Sequence, residues 1–185
     1  MKTVLLMLCL TASVARAETP AELPDMTLPG TDGVAHRLRT GAKETVVEFF
    51  SLHCPCQRWH DPRFKALHAR FAKDGVVFFA VDPEEGVTLA ELTAAAKQRD
   101  YPYPILLDEG GKLAKSLDAM FCLTTVVADS SGRIRYWGGI DSDRSCNHQS
   151  EGAHPYLKNA LEALLAGRDP DPAHTKPMGC WLQRW

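Results

Sequence analysis

The chain alternates compact apolar runs with stretches in which apolar residues return every three or four positions. Thr45 to Ser51 is a β-rich run long enough for a buried central strand, and Val76 to Val81 is a second. Between them Trp59, Phe64, Leu67, His68 and Phe71 recur at roughly helical spacing, and the pattern stops at Asp74-Gly75. Thr88 to Arg99 suits a helix opened by a Thr88/Glu91 capping box. Pro104 to Leu107 reads as a short strand and Gly111 to Met120 as a short helix. Thr124 to Ala128 and Arg133 to Trp137 flank the turn Asp129-Ser130-Ser131-Gly132 and read as an antiparallel pair. Two apolar patches within Met26 to Leu38 surround Thr31-Asp32-Gly33, a second hairpin, and Pro155 to Leu165 is a last amphipathic helix.

Strands that alternate with helices imply parallel pairing, and the late hairpin adds antiparallel strands at an edge. The expected class is therefore α/β, a central mixed sheet flanked by helices in one domain. Glu18 to Pro24 reads as a loose leader, and Gly167 to Trp185 as a proline-containing tail. The 185 residues, 45% apolar and 24% charged, suffice for one core. A net charge of −2 offers no electrostatic case for nucleic acid or an anionic membrane.

Residues 1–17 read as a signal peptide: a basic start, an apolar run from Val4 to Val14, and Ala15-Arg16-Ala17 as the cleavage motif. The run is too short to span a membrane. The expected divisions are this leader, a domain over residues 18–166 and a tail over residues 167–185. The expected location is periplasmic or secreted, where disulfides persist. Removal of Cys9 with the leader leaves five cysteines: Cys54, Cys56, Cys122, Cys146 and Cys180. An odd number leaves at least one thiol over.

The sequence Ser51-Leu52-His53-Cys54-Pro55-Cys56 stands where the central strand gives way to a helix. Free amides and the macrodipole at a helix N-terminus favour an anion, so a thiol there ionises more readily, and the thiolate is the attacking species. Pro55 suits the first helical turn, and a protonated His53 would add positive charge. Cys54 is thus the expected nucleophile. Cys56 can close only a strained ring with it, because side chains two apart on a helix diverge, and strained disulfides are readily reduced.

The strand-Cys-Pro-helix arrangement, the lead-in "DMTLPGTDG" and the segment "VVADSSGRIRYWGGID" resemble the thioredoxin-like superfamily, in particular its secreted redoxin branch related to peroxiredoxins. The tail "TKPMGCWLQRW" resembles the ending of some redoxin-domain proteins. The resemblance implies a thioredoxin-like fold. It also gives Glu48, six before Cys54, the place of a buried acid that moves the proton of the second thiol, and Pro62 the place of a helix-kinking proline. Two departures accompany it. Gln57 stands where the second cysteine is usual, and Leu123 stands where a cis-proline faces the active site. The alignment sets Cys122 beside Cys54, as a resolving thiol, a member of a three-sulfur cluster or a buried small residue.

Three activities fit this reading. The first is thiol-disulfide exchange, with Cys54 attacking, Cys56 releasing product and Glu48 handling a proton. The second is peroxidase chemistry. Ser51 matches a peroxiredoxin hydroxyl, but Val47 stands where that family has proline and Leu123 nearest its arginine, while Arg133 and Arg135 fall on an outward strand. The third is copper or zinc handling by Cys54, Cys56 and His53, with Cys122 as a further candidate ligand. Cys146 and Cys180 are expected either to bond to each other or to bring Cys180 to the site as a resolving thiol. Trp181 and Trp185 are expected to cover an apolar patch, and His60 and His68 to be partly exposed. No organic cofactor is implied. The expected partners are a protein disulfide or dithiol and an unidentified redox protein.

Overall fold

The computed structural model describes residues 20–147, 150 and 152–182. The expected signal segment, His148 and Trp185 lie outside the described residues. Strands β1 (Thr27–Pro29) and β2 (Ala35–Arg37) form the first hairpin. The main sheet is built around β3 (Glu44–Phe49), all six of whose residues are buried. Parallel to it run β4 (Val76–Asp82) and then β5 (Ile105–Leu107). On its other side β6 (Thr125–Asp129) and β7 (Ile134–Gly138) are antiparallel, giving the order β5-β4-β3-β6-β7. A near-continuous apolar run is what a strand needs when both its faces are covered. Of the late hairpin only β7 is an edge strand, since β6 pairs directly with the central strand.

Helix α1 (Pro55–Phe71) begins with Pro55 at its first position and Cys54 as its extended N-cap residue. After one 3₁₀ turn it is stopped by Gly75, whose φ of 90° an L side chain rarely adopts. Helix α2 (Leu89–Gln98) carries the expected capping box, worth about 1 kcal/mol. Helix α3 (Lys112–Ser116) is shorter than its apolar pattern, because the chain turns at Asp118, with φ of 50°. The Asp108 carboxylate accepts from the amides of Leu113 and Ala114, both at 3.0 Å. Helix α4 is Tyr156–Leu165.

The free edge of β7 would present unpaired amides and carbonyls. Two segments cover it. The leader is not loose: Leu23 is fully buried, its N–H donates to Gly132 O, and Ile134 N–H donates to Ala21 O. The tail is not free either. Trp137 N–H donates to Ala173 O and Thr175 N–H to Trp137 O, while His174 stacks on Trp137 at 4.7 Å between ring centroids. Gly138 makes this approach possible, since a Cβ there would lie 2.1 Å from Thr175 Oγ1.

The segment between β7 and α4 is fastened to α1 at two points. Cys56 is bonded to Cys146, with 4.3 Å between the Cα atoms, and Arg63 pairs with Asp141 at 2.8 Å and Asp143 at 2.5 Å. Burial opposes ionisation of Asp143, but hydrogen bonds from Ser150, from the Ser145 amide and from Arg63 hold its carboxyl well below the usual carboxylate range. A disulfide across a sequence separation of 90 constrains the unfolded chain strongly. The double substitution Cys56→Ser with Cys146→Ser should lower stability in denaturant melts by about 2–5 kcal/mol. The difference should vanish when both proteins are measured under strong reductant.

Candidate active site

The site is assembled at the start of α1 from three parts of the chain. Strand β3 delivers Cys54 to the helix N-cap. The turn before β6 delivers Cys122, and the tail delivers Cys180. Cys54 Sγ lies 2.7 Å from Cys180 Sγ and 3.1 Å from Cys122 Sγ. All three are free thiols. Cys54 is 3% exposed and Cys122 0%, whereas Cys180 is half-buried.

Local backbone geometry fixes each sulfur. The Cys54 amide donates to Ser51 Oγ at 3.1 Å, and that hydroxyl donates to Glu84 Oε2 at 2.9 Å. Asp82 accepts from the amides of Leu52 and Glu84, closing the loop beneath the N-cap; burial pushes its carboxyl up to about 7. Leu123 takes a left-handed conformation, φ 65°, uncommon for a branched side chain. It is held by its N–H to Phe49 O at 2.7 Å, and the Thr124 hydroxyl closes the turn on Phe121 O at 2.7 Å. Cys180 pairs with the same turn: Cys122 N–H donates to Cys180 O and Leu182 N–H to Met120 O, each at 3.0 Å. Gly179 permits the contact, because a Cβ there would lie 2.2 Å from Cys122 O and 2.7 Å from Cys122 Sγ.

The sulfurs share one negative charge unequally. The Cys122 thiol donating to Cys54 lowers the Cys54 pKa to about 5 against the cost of burial, with further help from the Cys180 thiol and the amides of Gln57 and Cys180. The Cys122 S–H donated to Cys54, together with burial, pushes the Cys122 thiol far up. Burial, then the hydrogen bond to Cys54, pushes Cys180 up to about 11. Cys54 is therefore the thiolate and its neighbours are the donors. His53 is exposed and is not among the causes of this shift.

Below the sulfurs lies a polar floor. Gln57 donates to Glu48, and Tyr103 donates to Glu48 Oε2 at 2.9 Å. Tyr101 donates to Asp61 at 2.5 Å, and Arg99 Nε to Asp61 at 2.7 Å, with the guanidinium 4.8 Å from the Phe50 ring centre. Burial, then the nearby Asp61 charge, pushes Glu48 up to about 8, against the hydrogen bonds from Gln57 and Tyr103.

Several expectations change. Cys56 cannot resolve a bond to Cys54, because its sulfur is already bonded to Cys146. Cys146 consequently does not pair with Cys180, which sits at the site instead. Glu48 has no second thiol of a Cys-Pro-Cys couple to serve, and its hydrogen bonds run to Gln57 and Tyr103. The metal set Cys54, Cys56 and His53 is broken by the same disulfide. The soft donors that do converge are Cys54, Cys122 and Cys180. A three-coordinate metal with bonds of about 2.3 Å needs its sulfurs nearly 4 Å apart, so two of these pairs would have to spread. His60 is buried rather than partly exposed, with Nδ1 2.9 Å from Cys56 O, while His68 is half-buried against Phe78 and Tyr103. Trp181 packs at a tilt against Phe121, 4.4 Å between ring centroids, yet is 65% exposed.

In the sequence Gln57 stands out only as taking the place of a cysteine, and Asp61, Tyr101, Tyr103 and Arg99 are not anticipated. A signal exists for Gln57 and Asp61, since they share a helical phase with the buried Phe64 and Phe71, whereas Trp59, grouped with those two by the apolar pattern, is 49% exposed.

Residues 20–137 match the AhpC/TSA family. The chain belongs to that family. It is accordingly a thioredoxin-fold oxidoreductase, and the resemblance seen in the sequence holds. The family match ends before Cys146 and Cys180. A curated relative, the thiol-disulfide oxidoreductase ResA of Bacillus thuringiensis subsp. konkukian, is 24% identical over 121 residues, covering 64% of this chain and 68% of the relative. A hypothetical protein from Sinorhizobium meliloti 1021 superposes with a TM-score of 0.82 at 21% identity, covering 92% of this chain and 96% of that one. An uncharacterised conserved protein from Geobacillus kaustophilus also gives 0.82, at 25% identity over 91% of this chain and 94% of its own.

Two titrations follow. Thiolate absorbance, taken as reduced wild type minus Cys54→Ser, should fade as pH drops through about 5, and Cys122→Ala should move that midpoint upward. Glu48 has a raised folded pKa, so its contribution to stability is complete below about 4.5 and lost as pH rises through about 8. Glu48→Gln should flatten that part of the pH–stability curve.

Proposed function

We propose that the protein is a thiol-disulfide oxidoreductase in which Cys54 is the nucleophile and Cys180 the partner thiol. The observation that carries this reading is the 2.7 Å approach of an ionised, helix-capping Cys54 to a protonated Cys180 on the tail. The Cys54 thiolate attacks one sulfur of a substrate disulfide, forming a mixed disulfide and releasing the other substrate sulfur. Cys180 then attacks Cys54 Sγ and its proton passes to a departing substrate sulfur. The Cys54–Cys180 bond forms as the substrate leaves with one sulfur as a thiol and the other as a thiolate that solvent protonates. A dithiol donor returns the protein to its reduced form, and the relative potentials set the direction of net transfer. Because Cys54 is buried, the tail must swing aside for a substrate disulfide to reach it.

A protein thiol or disulfide is the proposed substrate class, as the name of the ResA relative suggests for that protein. We place the protein in the cell envelope. The Cys56–Cys146 bond supports this, since such bonds persist in oxidising compartments. Among the described residues no helix is long and apolar enough to cross a membrane. The peroxidase reading is weaker on electrostatic grounds. The donors around Cys54 are thiols and amides rather than a guanidinium, and the Ser51 hydroxyl is already given to Glu84.

Reduction of a small peptide disulfide by the reduced protein tests the reading. Cys54→Ser should fall to the uncatalysed rate, and Cys180→Ser should accumulate a mixed disulfide at Cys54. Peroxide consumption far above that of Cys54→Ser, without peptide reduction, would reassign the chain to peroxidase chemistry.

A further inference from the structure

The exchange reading, on which this inference rests, leaves open which sulfur of the oxidised protein meets an incoming thiol. We propose that Cys180 is the sulfur attacked, and that Cys54 is the group expelled. The tail then acts as a thiol-bearing cover through which an external protein or low-molecular-weight thiol exchanges electrons with the buried sulfur.

Two independent features point the same way. The first is access. Thiol exchange is an in-line displacement, with attacking, attacked and leaving sulfurs close to one line. Cys180 is half-buried while Cys54 and Cys122 are nearly or wholly enclosed. A line from solvent through Cys180 to Cys54 runs inward, with the leaving sulfur on the inside. Attack on Cys54 would require the tail to be gone, yet in the oxidised state the tail is bonded to Cys54. Its neighbouring backbone is further held by the Cys122–Cys180 and Met120–Leu182 hydrogen bonds.

The second feature is the leaving group, since a thiol of lower pKa departs faster. Cys54 retains the S–H donor of Cys122 and the Gln57 and Cys180 amides after the bond breaks, so its thiolate is received by donors already in place. Cys180, expelled as a thiolate, can be met by the Cys122 thiol and the Cys56 amide, but burial, then its hydrogen bond to Cys54, still holds its pKa up at about 11. Cys122 is thereby a positioning residue: its S–H holds the departing charge without entering the disulfide.

The step balances. An external thiolate RS⁻ forms a bond to Cys180 Sγ, the Cys54–Cys180 bond breaks, and Cys54 leaves with the electron pair. A second external thiol attacks the R sulfur of the mixed disulfide and forms the external disulfide. Cys180 leaves as the thiol, with the proton of that second donor. Two external thiols are oxidised and one protein disulfide is reduced.

The test uses the oxidised mature protein, with its Cys54–Cys180 bond first checked by peptide mapping. It is mixed with limiting glutathione, quenched within the first turnover by an alkylating reagent, and mapped by mass spectrometry. The expected product carries glutathione on Cys180 and the alkyl group on Cys54, in excess over the inverse product by roughly tenfold or more. Cys122→Ala should slow the step without moving the adduct. Glutathione found mainly on Cys54, or equally on both, overturns the proposal while leaving the exchange reading intact. Failure to find a Cys54–Cys180 bond in the oxidised protein sinks both.

Discussion

One ionised sulfur at the mouth of α1 organises the surrounding structure. A charge on Cys54 with 3% exposure is tenable only because donors surround it. Helix amides supply part of that support, as the N-cap position dictates. The larger part comes from the Cys122 thiol, brought from the turn before β6, with Cys180 from the tail contributing as well. A negative charge in a confined space thus depends on two thiols that are themselves kept protonated by it. The three pKa displacements are one phenomenon seen from three atoms.

The same requirement explains features that would otherwise look like unrelated irregularities. Leu123 accepts a strained backbone so that the chain can reverse directly after Cys122. Gly179 lacks the Cβ that would collide with Cys122, and Gly138 lacks the one that would collide with Thr175. These two absences let the tail lie against β7 and then over the sulfurs. The Cys56–Cys146 bond and the Arg63 pairs fix the neighbouring segment to the same first turns of α1. Beneath, the Glu48–Gln57 contact places an amide where relatives of the thioredoxin type would place a second sulfur. In this chain the sulfur nearest Cys54 comes from the tail instead, 2.7 Å away.

Periodicity and turn chemistry were enough to set out the strands, the helices and their order, because each depends on residues close in sequence. The run Thr45 to Ser51, the capping box at Thr88 and the turn at Asp129 are local statements with local causes. So is the placing of Cys54 at a helix start, although most of the support for its charge comes from the Cys122 and Cys180 thiols of distant segments. Other features depend on contacts between distant segments, and these the sequence left open. Cys56 lies two residues from Cys54, but its bond goes to Cys146 because the helix turns the two side chains apart and the segment after β7 folds back. Cys180, 126 positions from Cys54, arrives at 2.7 Å because the tail docks on an open sheet edge. Asp61 is polar yet enclosed because Tyr101 and Arg99 come from another part of the chain to donate to it, and the Gln57 amide N–H group is taken up by Glu48 and Asp61. Spacing along the chain determined which residues can be strand, helix or helix-capping cysteine; only the tertiary structure, through the packing of distant segments, decided which sulfur faces which and so which one carries the charge.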